Sequence, residues 1–264
     1  MELEIHSITP EAPRPTPLLF IHGMWHGAWC WDKFLDFFAQ AGYPVTALSL
    51  RGHGRSGGSI RGSRIADYVS DVEEVTGKFK TPPVLIGHSM GGFITQKYLE
   101  THTAPAAVLL ATNPHFGLWR SLARMTLHNP LITLKCILEW RLYPVVEHPA
   151  DARWALFSDD LPEEELLAYH RQMNDESFRM FLDLLGLNLA HPERIKTPLL
   201  ILGAEKDTVI TPRDIRDTAR AYGVEAQIFP NMGHDMQLEP GWNAVAERIL
   251  NWLQAGDSIH PKSK

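Results

Sequence analysis

The chain has 264 residues, of which 44% are hydrophobic, and a formal net charge of -6. That is length enough for one α/β domain with a large core, with or without an inserted segment. No lysine/arginine run marks a nucleic-acid surface, and no stretch approaches the ~20 apolar residues of a membrane span. Met1 to His6 carry acids where a signal peptide would carry bases, so a cytoplasmic protein is expected. Cys30 and Cys136 make neither a disulfide framework nor a zinc pattern and read as buried apolar residues.

Residues 1–8 can form an edge strand, and the prolines between Glu11 and Pro17 make a loop. Leu18 to Ile21 reads as a short buried strand ending at His22-Gly23-Met24-Trp25-His26-Gly27-Ala28-Trp29. A helix is expected from about Asp32, with Phe34, Leu35, Phe37 and Phe38 as its apolar positions. Val45 to Leu50 is the next strand, running into a glycine-rich turn from Arg51 to Gly58. Ile65, Tyr68, Val69, Val72 and Val75 recur at helical spacing. Val84-Leu85-Ile86 is a strand that enters Gly87-His88-Ser89-Met90-Gly91, and Gly92 to Leu99 continues as a helix. Ala107 to Ala111 is another apolar strand.

From Pro114 to about His191 the strand pattern stops. Leu118, Leu122 and Met125, then Leu131, Leu134 and Leu138, then Phe178, Phe181, Leu184 and Leu185 follow helical spacing. Pro162 before Glu163, Glu164 and Glu165 marks a helix start. Strand logic resumes from Pro198 to Gly203, and Thr211-Pro212-Arg213 opens a helix reaching about Tyr222. Glu225 to Phe229 is the last strand, Pro240 to Gln254 a terminal amphipathic helix, and the tail after Gly256 is expected to fray. The alternation predicts an α/β fold with a mostly parallel, doubly wound sheet. Its core would comprise residues 1–113 and 192–264, with 114–191 inserted as a helical cap.

The strand, then G-x-S-x-G around Ser89, then a helix, is the context of a nucleophile elbow. Ligands of such sheets sit at the carboxyl ends of the strands, and His22, Ser89, Asp207 and His234 all fall just past a strand end. A serine hydroxyl needs a base in hydrogen-bond reach, and the base needs an orienting acid. His234, on the loop between the last strand and the terminal helix, is read as the base. His22 is better explained as shaping its loop, His88 as pointing away from the crevice, and His53 as part of the glycine-rich turn. Asp207 is read as the acid, with Glu205 the alternative. Asp214 and Asp217 fall in a helix and are expected to be solvated. Past the Ala107 strand only Thr112 and Asn113 are available, so no acid is expected there. The backbone N–H groups of Met90 and Met24, with Trp25 as the alternative to Met24, are the expected oxyanion donors. Trp25 and Trp119 are expected on the substrate pocket wall. The set calls for no metal and no cofactor, and its partner is a small-molecule ester.

Four features, His22-Gly23, the elbow at Ser89, Asp207 shortly after Gly203, and Gly233-His234, stand in the order Ser…Asp…His. In these the chain resembles the α/β-hydrolase superfamily over nearly its whole length. Within it, His22 to Trp29 looks like the opening of the plant methylesterase and hydroxynitrile lyase group, whereas Arg51 to Ser56 looks like the bacterial esterase and lysophospholipase-like group. Similar dehalogenases and epoxide hydrolases carry an aspartate where Ser89 stands. Similar hydroxynitrile lyases carry a threonine where Gly23 stands and a lysine where Asp235 stands, and cofactor-free dioxygenases place their acid where Asn113 is found. The resemblance implies a serine carboxylic-ester hydrolase working through an acyl-enzyme, and the aromatic and long aliphatic residues of the cap, including Phe116, Trp119, Trp140 and Phe157, suggest an ester with an apolar acyl or alcohol group. The alternatives on the same fold are a lyase or cofactor-free oxygenase, and a non-catalytic small-ligand receptor.

Overall fold

A computed structural model describes residues 1–259 of the chain. Seven strands, β1 (Ile5–Ile8), β2 (Leu18–Ile21), β3 (Val45–Leu48), β4 (Val84–His88), β5 (Ala107–Leu110), β6 (Leu199–Ala204) and β7 (Ala226–Phe229), form one sheet. Their order is β1-β3-β2-β4-β5-β6-β7. Within this sheet only the β1–β3 pairing is antiparallel; from β3 to β7 every pairing is parallel. Parallel strands need helical crossovers, which cover both faces of the sheet. This is why β2 and β5 can be unbroken runs of buried apolar residues.

Four helices follow the sheet closely: α1 (Asp32–Gln40), α2 (Ile65–Thr76), α3 (Met90–Leu99) and, after the helical stretch described next, α9 (Pro212–Ala221). Between β5 and β6 the chain runs through α4 (Trp119–His128), α5 (Pro130–Glu139), α6 (Pro149–Leu156), α7 (Glu163–His170) and α8 (Phe178–Leu182), with no strand. The terminal helix α10 (Trp242–Ile259) packs on α1. It continues past Gly256, the point after which the tail was expected to fray. A glycine inside a helix lowers its propensity by about 1 kcal/mol without breaking its geometry. Residues 260–264, the rest of that tail, lie outside the described residues. Among the described residues no helix is long and apolar enough to cross a membrane.

Two local outcomes differ from the sequence expectation or refine it. Thr211 caps α9 and exchanges hydrogen bonds with Asp214, with Pro212 in the first helical turn. Asp214 is nevertheless buried rather than solvated, because Arg120 and Arg124 of α4 reach its carboxylate at 3.1 and 2.8 Å. The second concerns α5. The stripe that marks it in the sequence, Leu131, Leu134 and Leu138, faces outward at 73%, 51% and 76% exposure. Ile132 and Cys136, on its other side, line an interior chamber.

Candidate active site

Ser89 sits between β4 and α3 with φ 50° and ψ -115°, a left-handed conformation that a residue with a Cβ adopts only under constraint. The flanking glycines explain how the turn closes. A Cβ on Gly91 would lie 2.2 Å from the Ile21 carbonyl oxygen, and one on Gly87 would lie 2.4 Å from the Gly91 carbonyl oxygen. With those atoms absent, α3 starts directly against β2 and β4, and Ser89 Oγ reaches the crevice.

There Ser89 Oγ lies 2.8 Å from His234 Nε2, and His234 Nδ1 lies 2.6 Å from Asp207 Oδ2. Asp207 Oδ1 accepts the backbone N–H groups of Val209 and Ile210 at 2.8 and 2.7 Å, which fixes the carboxylate plane. A carboxylate can only accept, so Nδ1 carries a proton and neutral His234 presents Nε2 as an acceptor for the serine hydroxyl. All three side chains are buried. Burial alone would lower the His234 pKa, but the charge of Asp207 and its hydrogen bond outweigh burial and raise it above the ordinary value. Glu205, the alternative acid, instead accepts the Asn231 N–H at 3.1 Å.

Met24 and Trp25 border the same crevice, and Met90 is the first residue of α3, where an N–H has no partner within the helix. Trp25 itself has a left-handed φ of 64°. It is pinned by its carbonyl, which accepts the Asn174 N–H at 2.7 Å, and by Nε1, which donates to the Leu142 carbonyl at 3.3 Å. The loop after β2 is thereby tied to the helical segment above it.

Beside Ser89 opens a chamber of about 310 Å³ walled by Met125, Ile132, Leu142, Phe178, Phe181 and Val209, among others. The hydroxyls on this wall are taken up by the protein: Ser121 donates to the Val209 carbonyl at 2.6 Å, and Thr126 and Thr133 bond each other at 3.1 Å. Trp25 is on the wall as expected, but Trp119 is not. It lies outside the chamber with 56% exposure, its ring against the Arg120 guanidinium. The helix carrying it turns Leu122 and Met125 inward instead.

The histidines divide as their positions suggested, with additions that the sequence hid. His22 donates from Nδ1 to the Gly23 carbonyl at 2.7 Å and accepts the Leu50 N–H at Nε2, so it braces its loop. His88 points behind the crevice and donates from Nε2 to the His234 carbonyl at 3.0 Å; burial pushes its pKa down to about 3. His53 is buried against Glu176 at 3.1 Å, and Tyr68 donates to the other oxygen of that carboxylate at 2.9 Å. His26 lies with Nδ1 2.5 Å from the Met24 carbonyl and Nε2 2.9 Å from Asp235. His26 lies in the His22–Trp29 opening and Asp235 directly after His234, but their pairing is not visible in the sequence, and only the fold joins them. His88, His234 and Asp235 come close enough to suggest a metal site. Both ring nitrogens of His234 are already committed to Asp207 and Ser89, which leaves that cluster poorly fitted to an ion.

Residues 18–248 match the alpha/beta hydrolase family. The chain is 25% identical to a monoacylglycerol lipase of Mycolicibacterium smegmatis across 93% of its own length and 90% of that protein. It is 38% identical to methyl jasmonate esterase 1 of Vitis vinifera, across 33% of its length and 34% of that protein. The fold superposes on the esterase EaEST from Exiguobacterium antarcticum with a TM-score of 0.73 at 18% identity, covering 96% of this chain and 95% of that one. On the monoacylglycerol lipase of Paleococcus ferrophilus the TM-score is 0.69 at 19% identity, with 97% and 100% covered. By this match and by its sheet, the chain belongs to the alpha/beta hydrolase family.

Proposed function

We propose that the protein is a serine hydrolase that cleaves carboxylic esters through an acyl-enzyme. Ser89 Oγ attacks the ester carbonyl carbon while its proton passes to His234 Nε2. The imidazolium so formed is held in place and stabilised by Asp207. The Met24 and Met90 N–H groups donate to the oxyanion, a contribution of roughly 3–4 kcal/mol per donor in enzymes where one has been removed. The proton on Nε2 then goes to the leaving alkoxide as the C–O bond breaks. Water, deprotonated by His234, attacks the acyl carbon; the acid departs and Ser89 recovers its proton.

The observation that carries this reading is the pair of contacts Ser89–His234 at 2.8 Å and His234–Asp207 at 2.6 Å. The esterases and lipases among the similar proteins support the ester as substrate class. Residues 114–191 act in this reading as a cap over the body formed by 1–113 and 192–264, excluding water from the reaction. The apolar chamber suits an apolar acyl or alcohol group. Pre-steady-state release of nitrophenol from a short acyl ester tests it. A burst matching the enzyme concentration, absent in Ser89→Ala, is expected. Ligand-induced thermal stabilisation with no turnover of any ester would point instead to a receptor.

A further inference from the structure

One polar group on the chamber wall has no use in the reaction just described. Asn113 follows β5, is buried, and lies with its Oδ1 3.3 Å from Ser89 Oγ. Its Nδ2 has no hydrogen-bond partner, and among the described residues it is the one such buried side-chain atom on the chamber wall. The backbone around it is held firmly: its N–H donates to the Ser89 carbonyl at 3.1 Å, and its carbonyl accepts from Gln96 Nε2 at 3.0 Å. A buried amide donor left unpaired is costly, and native interiors rarely keep one without a reason.

The serine can answer only one end of the amide. Its single proton goes to the shorter contact, His234, so its oxygen can accept from the amide nitrogen but has no proton for the amide oxygen. The Asn113 amide can present either its oxygen or its nitrogen to Ser89, because the two ends are interchangeable by rotation. In either orientation one end meets the nucleophile and the other is left unpaired in a residue that lines the chamber. A substrate hydroxyl answers both orientations, since it donates and accepts. A methyl group in the same place answers neither.

The geometry points to Asn113 as a reader of a substrate hydroxyl carried close to the scissile bond, on an otherwise apolar ester. This rests on the serine hydrolase reading of the same site. The strand order β2-β4-β5 sets Asn113 on the opposite side of Ser89 from Met24. With the oxyanion on the Met24 side, an ester bound for attack would bring its carbon substituents, rather than its oxyanion, toward the amide. A hydroxyl on carbon 2 of the acyl group, or on carbon 2 of the alcohol, comes within reach.

The test compares matched esters that differ only by hydroxyl or methyl. On the acyl side these are nitrophenyl 2-hydroxyhexanoate and 2-methylhexanoate, each enantiomer separately; on the alcohol side, 2-hydroxyethyl hexanoate and propyl hexanoate. The kcat/KM ratio within each pair, divided by the ratio of the uncatalysed hydrolysis rates, is measured for the native protein and for Asn113→Leu. We expect a hydroxyl preference of about tenfold or more in one pair of the native protein, lost in Asn113→Leu. The pair that shows it tells whether the acyl or the alcohol part occupies the chamber. No hydroxyl preference in either pair of the native protein overturns the inference even if the variant fails to fold, and so does a preference that Asn113→Leu retains. Because the ratios require turnover, an absence of hydrolysis of every one of these esters would mark failure of the serine hydrolase reading itself.

Discussion

His26 and Asp235 meet at 2.9 Å in the interior, behind the crevice that holds Ser89 and His234. The contact joins two loops that must keep register for the proposed reaction. His26 also contacts the Met24 carbonyl, in the loop that would supply an oxyanion donor, and Asp235 directly follows His234. Burial alone would raise the Asp235 pKa, yet the neighbouring His26, His88 and His234 hold it below the ordinary carboxylate value. Removing one side of a buried polar contact leaves the other uncompensated, at about 1–3 kcal/mol and more where the group left behind is a charge. His26→Phe and Asp235→Leu should therefore each destabilise the protein by about 3 kcal/mol, and the double variant by clearly less than the sum. Denaturant unfolding of the four proteins measures the coupling; strict additivity would show that the contact carries no energy.

Asp207 and Glu205 are separated by one residue, yet only Asp207 touches His234. Asp207→Asn should lower kcat by about 10⁴, because the amide no longer fixes the tautomer that leaves Nε2 free. Glu205→Gln should change kcat by less than about threefold, on the scale of an exposed hydrogen bond. Steady-state kinetics on one nitrophenyl ester decides between them.

The raised pKa of His234 sets the acid limb of the activity profile. The proposed base works only when neutral, so kcat/KM should fall as the pH drops through a pKa above 6.5, the ordinary histidine value. Loss of Asp207 removes the main group that raises this pKa and leaves the burial that lowers it. The residual activity of Asp207→Asn should therefore persist to lower pH than that of the native protein. A pH–rate profile of both proteins measures the displacement, and a limb at the same pH in each would remove Asp207 as the cause.

The chamber wall predicts selection by hydrophobic fit. Extending the acyl chain from acetyl to hexanoyl adds four methylenes at roughly 0.8 kcal/mol each, or up to about two orders of magnitude in kcat/KM after incomplete burial is allowed for. Phe181→Ala should flatten that slope, because Phe181 is on the wall; Trp119→Ala should leave it unchanged, because Trp119 is outside. A nitrophenyl ester series with the three proteins measures both slopes.

The contrast between Phe181 and Trp119 also shows which features were legible in the sequence. The sheet and the elbow were, because they rest on short-range demands: buried parallel strands are continuous apolar runs, and a tight turn at Ser89 needs glycine at positions 87 and 91. Asp207 and His234 were legible from their places after strand ends. The helices between β5 and β6 were recognisable as helices, but which side of each faces inward was not. On α5 apolar residues lie all round, so Leu131 and Leu138 outside look no different in sequence from Ile132 inside. Long-range polar partners were also hidden. Asp214 is buried only because Arg120 and Arg124 of another helix cover it, and Asn113 stood out in the sequence only as the absence of an acid.

The central claim is that Ser89 is the nucleophile, and covalent labelling tests it most directly. The native protein is treated with a fluorophosphonate, digested, and examined by mass spectrometry. The account predicts one stoichiometric adduct, on Ser89, formed faster in the native protein than in Asp207→Asn and absent in Ser89→Ala. An adduct on another residue, or full ester turnover by a protein lacking the Ser89 hydroxyl, would contradict it.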